Sequence, residues 1–173
     1  MKVIAFDIAG ATGIAFGVAG ETPRATTVDL GKKLSEAQRF SKMIQTARFF
    51  LNRFEPDIVV YEAPVGGPKT SHFLVGVAAC FVGEATRLGY DPKSVNLASV
   101  RSHFLGKHLT TRHFPHLKPA AAKAEIKRAV VARCFALGWP VKGHDDADAL
   151  ACWDYASATL GRAQAKPVGG LFR

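Results

Sequence analysis

Four carboxylates occupy positions that folding alone does not ask for. Asp7 sits in the middle of Lys2–Ala9, the most apolar strand-like segment of the chain. An unpaired carboxylate buried there is strongly unfavourable, so it needs a compensating cation or donor. Glu62 closes Ile58-Val59-Val60-Tyr61 and so stands at the C-terminal edge of a short strand, where sites in such sheets gather. Asp145 and Asp148 open the last helical segment, and a spacing of three puts them on one face, a turn apart. Each acid alone also admits a plainer role. Asp145 or Asp146 can cap the helix, Glu62 can be a solvated strand end, and Asp7 can pair with a buried base. Taken together, and if the two strands are neighbours, the four side chains converge. Hard oxygen ligands suit Mg²⁺ or Mn²⁺ rather than zinc. Two such ions about 4 Å apart activate a water and stabilise the leaving oxygen of an in-line phosphodiester displacement.

The elements that must position these acids follow from periodicity. Lys2–Ala9, Ile14–Ala19 and Ala25–Leu30 read as three strands in an antiparallel meander, with a turn at Gly10–Gly13. Residues 35 to 54 carry apolar side chains at helical spacing, with Ser35 as N-cap and Pro56 as stop. Asp57–Glu62 is a fourth strand, placed in parallel because a helix precedes it. Pro64–Lys69 reads as a Gly/Pro loop. Ser71–Leu88 reads as a helix apolar nearly all round and so buried, with Gly76, Ala79 or Cys80, and Gly83 on one face for close approach. Ser94–Leu97 is a fifth strand and Ser99–Gly106 a short helix. His108–Pro119 is a basic loop. Helices follow at Ala120–Leu137, ended by Gly138, and at Asp145–Leu160, before a loose tail.

The chain has 173 residues, nearly half of them apolar, which suits one domain with one sizeable core. No apolar run is long enough to cross a bilayer, and no signal-peptide pattern opens the chain. A soluble, cytoplasmic protein is expected. Cys80, Cys134 and Cys152 lie far apart without metal spacing and read as small buried hydrophobes. The net charge is +9, and it is uneven. Residues 1 to 90 hold ten Lys/Arg against eight Asp/Glu, and residues 91 to 173 hold thirteen against six. From Arg101 to Arg133 eight bases face one acid, Glu125, a pattern that suits a polyanion such as nucleic acid. A solvated basic face with no partner is the plain alternative.

Three segments together resemble the RuvC-type Holliday-junction resolvases, nucleases of the RNase H-like superfamily. Phe6-Asp7-Ile8-Ala9-Gly10-Ala11-Thr12-Gly13 is similar to the family's first strand, an aspartate followed by a small-residue turn and Thr-Gly. Val59-Val60-Tyr61-Glu62-Ala63-Pro64 is similar to its strand ending in glutamate. His144-Asp145-Asp146-Ala147-Asp148-Ala149-Leu150-Ala151 is similar to its final motif and is the most specific of the three. The order βββαβαβ, then helices, is that of the RNase H-like fold. The resemblance therefore implies an α/β protein with a mixed five-stranded sheet flanked by helices, one nuclease domain over residues 1–160 and a flexible tail over 161–173.

The resemblance also implies a two-metal, Mg²⁺-dependent endonuclease, with Mn²⁺ as substitute. It would cut four-way DNA junctions as a homodimer and leave 5′-phosphate and 3′-hydroxyl ends. Asp7, Glu62, Asp145 and Asp148 would be catalytic metal ligands. Arg101 and Lys123 match by position the bases that approach the scissile phosphate, and Lys123 would stabilise charge on the transferring group. Lys107, Arg112, Lys118 and Lys127, with His108, His113 and His116, would contact phosphates. Phe104 and Phe114 can stack on exposed bases or anchor the core. His144 stands beside the acids, where a proton shuttle or a structural role are both open. Two departures stand out: Ile8-Ala9-Gly10 replaces a longer turn with Pro-Gly, and the His108–Pro119 stretch is longer and richer in histidine. Three other readings remain. The same acids serve a nuclease acting on RNA–DNA hybrids, or survive in an inactive branched-DNA-binding protein. Aspartate, small turn and Thr-Gly also open the phosphate loop of actin-like ATPases, but this chain shows no second glycine-rich loop.

Overall fold

The computed structural model describes residues 1–64 and 71–163, with side chains through 160; most of the expected Pro64–Lys69 loop therefore lies outside the described residues. Five strands, β1 (Lys2–Asp7), β2 (Ala11–Val18), β3 (Arg24–Asp29), β4 (Ile58–Glu62) and β5 (Lys93–Val95), form one sheet in the order β3-β2-β1-β4-β5. The first three are antiparallel, and β4 and β5 run parallel to β1. The helices are α1 (Glu36–Phe54), α2 (His72–Arg87), α3 (Leu97–Leu105), α4 (Pro119–Ala136) and α5 (His144–Ala163). A single 3₁₀ turn, Thr111–His113, interrupts the basic loop, and backbone helix continues past residue 160, where a tail was expected. Among the described residues no helix is long and apolar enough to cross a membrane.

Strand parity divides the core in two. Ile4, Phe6, Ile14 and Val59 pack with Met43, Ala47 and Leu51 of α1 and Val77 and Phe81 of α2. Val3, Ala5, Ala15, Ile58 and Val60 point the other way, onto Leu150 and Trp153 of α5, backed by Val100 and Phe104 of α3 and Val130 and Cys134 of α4. This is the period-two alternation of a sheet covered on both faces. The indole of Trp153 donates to the Val3 carbonyl at 3.0 Å, which ties α5 to the central strand.

Local chemistry sets the ends. Ser35 caps α1 in a capping box with Gln38, and Glu55 takes a left-handed conformation, φ 50°, ahead of Pro56. The Asn96 side chain accepts from Ala98 N and Ser99 N, so Leu97 begins a helix instead of ending β5. Pro119, with no amide hydrogen to lose, opens α4. Helix α2 departs from its expected burial. Val75 is 45% exposed, and Ala79 and Gly83 also face outward, because α1 covers only one side of it. The close approach foreseen at Gly76 is to the Phe40 ring of α1, whereas nothing lies within 4 Å of a Cβ at Gly83. Glu84 is the buried polar tie between these helices, held by Arg48 at 2.7 Å and by Arg87 at 2.7 Å.

Candidate active site

The alternation that fills the core continues to the C-terminal ends of β1 and β4. Val3, Ala5 and Asp7 share one face of β1, and Ile58, Val60 and Glu62 share the same face of β4. The parallel register pairs Phe6 with Tyr61, so Asp7 and Glu62 are next-door neighbours and both aim at α5. Asp7 pairs across the antiparallel ladder with Gly13. A Cβ at Gly13 would stand 2.1 Å from the Asp145 carbonyl oxygen and 3.1 Å from the Ala149 Cβ. Only a residue without a side chain lets the first turn of α5 descend onto β2 there. Thr12 locks the preceding turn, donating to the Ala9 carbonyl at 2.8 Å. On the far side of that turn Thr27 donates to Asp146 at 2.6 Å, and the Lys142 amide donates to the other Asp146 oxygen at 3.2 Å. Asp146 is thus a buried structural tie between β3 and α5, while the charges of Asp145 and Asp148 act on Asp7.

Proton affinities report the crowding. Burial, then the charges of Glu62 and Asp148, hold the Asp7 carboxyl well above its ordinary range, with Lys127 opposing and Asp145 adding. Burial and the Asp148 charge push Glu62 up to about 7, against the pull of Arg101, Lys127 and a hydrogen bond with Asp7. Two neighbouring acids with raised affinity describe a cluster that lacks positive charge. Asp148, only 4% exposed, has found some. The Arg101 Nη2 lies 3.1 Å from Oδ1, and the Lys127 Nζ lies 3.5 Å from Oδ2. Among the described residues no three His, Cys, Asp or Glu side chains are gathered around one ion position. Asp148 is turned instead to its two bases. The donor set itself is all carboxylate, which fits a hard divalent cation.

Solved structures share this arrangement of elements. Thermus thermophilus RuvC matches over 97% of this chain and 100% of its own, with 18% identity and a TM-score of 0.70. T. thermophilus RuvC in complex with Holliday junction substrate matches over 97% and 99%, with 18% identity and a TM-score of 0.72. The yeast mitochondrial Holliday junction resolvase Ydc2 matches over 92% and 80%, with 13% identity and a TM-score of 0.53. The chain has the RuvC fold. No family model and no curated protein matches the sequence.

Within this RuvC fold, Asp7, Glu62, Asp145 and Asp148 are brought to one edge, and Arg101 and Lys127 are brought to the acids. Lys123 lies one turn earlier on the same side of α4, exposed, and among the described residues it forms no ion pair. Lys107, Arg112 and Lys118 are exposed along the loop before α4, as are His108, His113 and His116. Phe104 is 3% exposed and anchors the core, which removes it from any base-stacking role. Phe114 is half-buried in a hollow with Lys107, His113 and Arg128. His144 is exposed at the start of α5. Sequence reasoning missed the Thr27–Asp146 tie and the bridging of Asp148 by two bases. Strand parity would have aimed Thr27 toward α5, but its partner lies 119 residues away and no local spacing marks it.

Proposed function

We propose that this protein is a metal-dependent, structure-selective DNA endonuclease that resolves Holliday junctions or other branched DNA. One observation carries the reading. On the RuvC fold, two adjacent strands and one helix start bring four carboxylates to one sheet edge, where burial and like charge raise the proton affinity of Asp7 and Glu62. Asp7, Glu62, Asp145 and Asp148 would hold the metal, and the all-oxygen donor set favours Mg²⁺, with Mn²⁺ as substitute. Two bound ions would supply Lewis-acid stabilisation of the attacking and leaving oxygens of a phosphodiester. The chain's own groups do the rest. Arg101 and Lys127 stand at the acids to receive the scissile phosphate. Lys123, a turn away, can follow the same strand, and Lys107, Arg112 and Lys118 position the backbone without reading sequence. Residues 1–160 act as the nuclease domain, and a cytoplasmic location accompanies that role.

A four-way junction carries two strands to cut symmetrically, so a twofold homodimer suits the task. The outward face of α2 at Val75, Ala79 and Gly83 offers a small-residue surface for it. Light scattering measures that state directly. The deciding experiment is a cleavage panel of four-way junction, flap, RNA–DNA hybrid and linear duplex, with Mg²⁺ or Mn²⁺, for wild type and Asp7→Asn. The expected result is junction cleavage by wild type, and junction binding without cleavage by the variant. Cleavage confined to hybrids would move the protein to the ribonuclease class. Binding without turnover in either metal would leave a junction-binding protein.

A further inference from the structure

The bases assigned so far all lie on the α3, α4 and α5 side of the sheet edge. A second group lies on the other side, against the turn that follows Asp7. Arg39, in the first turn of α1, lays its guanidinium over the Phe73 ring at 3.7 Å from the centroid. That ring stacks in turn on Phe40, at 5.7 Å and 14°. On its other side Arg39 meets the β1–β2 turn, where a Cβ on Gly10 would lie 3.0 Å from its Nη2. Held between ring and turn, Arg39 forms no ion pair among the described residues, and its buried Nε has no hydrogen-bond partner. The same turn fixes a neighbouring segment: Leu30 N donates to the Gly10 carbonyl at 2.8 Å. Two and three residues beyond that contact, Lys32 and Lys33 are exposed. Glu36 is an exposed acid nearby, and Asp29 is engaged by the Gly31 amide at 2.8 Å.

A planar cation pre-set by stacking, without a carboxylate, is suited to a phosphate, which its fork can grip bidentately. We propose that Arg39, with Lys32 and Lys33, is a second nucleic-acid phosphate site, on the α1 side of the carboxylate edge. A duplex arm crossing that edge is then held on both flanks, by Arg101 and Lys127 on one side of Asp7 and by Arg39 on the other. The inference rests on the nuclease reading and adds the path that DNA takes over the site.

The test is fluorescence anisotropy of a labelled four-way junction, without divalent metal so that nothing is cut, over a series of salt concentrations. Wild type is compared with Arg39→Gln and with the double variant Lys32→Gln/Lys33→Gln, each checked by thermal melting. Arg39→Gln should bind about tenfold more weakly near 0.1 M salt and lower the salt slope by about 1. The double variant, altered only at exposed positions, should also lower the slope. Unchanged affinity and slope in a folded Arg39→Gln would overturn the proposal. So would unchanged binding joined to slower junction cleavage in a parallel assay with Mg²⁺, which marks a residue that only supports the turn. If Arg39→Gln does not fold, an unchanged slope in the double variant overturns it. A wild type that binds no DNA removes the nuclease reading itself and this site with it, whereas normal wild-type binding with indifferent variants removes this site alone.

Discussion

Glu62 and Asp7 set a conflict between folding and function in which burial and like charge act against the ionised form. Glu62 has a folded-state value of about 7 against an ordinary 4.5, so the folded protein binds its proton more tightly than the unfolded chain does. Its favourable contribution is complete below pH 4.5 and is lost as pH rises through about 7. Glu62→Gln, which cannot ionise, should therefore stabilise the metal-free protein at about pH 8 by on the order of 2 kcal/mol. Chemical denaturation read at that pH checks it. Saturating Mg²⁺ should reverse the order, because wild type gains a bound cation and the variant loses a ligand. Asp148 is the largest charge acting on Glu62, after burial itself. Asp148→Asn should then bring the Glu62 titration, followed by carboxyl NMR, back toward its ordinary value. An unmoved Glu62 would mean that burial alone accounts for it.

Among the elements, the most exacting fit is the descent of α5 onto β2. Gly13→Ala places a methyl group 2.1 Å from the Asp145 carbonyl oxygen, and backbone of a buried helix start cannot yield cheaply. The expected cost is about 1–3 kcal/mol in urea unfolding, with weakened divalent-ion binding because Asp145 and Asp148 are lifted from Asp7. Thr27→Val keeps the shape of β3 and removes the donor to buried Asp146, so it should cost about 1–3 kcal/mol in the same measurement. The strands that carry Asp7 and Glu62 were legible in the sequence, since alternation around Asp7 and the apolar run before Glu62 are local signals. So was the helix that Asp145 and Asp148 open, whose spacing of three needs only helical geometry. Residue 97 was read as strand because an apolar side chain outweighed the Asn96 cap beside it. Helix α2 was read as buried because composition cannot show which side α1 leaves open. The Asp148 partners could not be read at all: Arg101 lies 47 residues away, and Lys127 and Lys123 share one side of α4.

Over the whole molecule, the two faces of the sheet respond to pH with opposite sign. On the α1–α2 face, Glu84 accepts hydrogen bonds from Arg87 and Arg48, which hold its carboxyl down at about 2. That contribution is present above the ordinary 4.5 and is lost as pH falls toward 2. On the α5 face, Glu62 loses its contribution as pH rises from 4.5 through about 7. Metal-free protein should therefore be most stable in a narrow band just above the Glu84 fall, and decline on both sides. A divalent cation bound at the proposed site would screen the acids at the edge and leave Glu84 untouched, so it should flatten the alkaline decline and keep the acid one. Glu84→Gln should do the reverse and remove the acid limb alone. Urea midpoints measured across pH, with and without Mg²⁺, separate the two limbs. A profile in which Mg²⁺ shifts both limbs equally would show that the ion acts on the +9 chain as a whole and not at the edge formed by β1, β4 and α5.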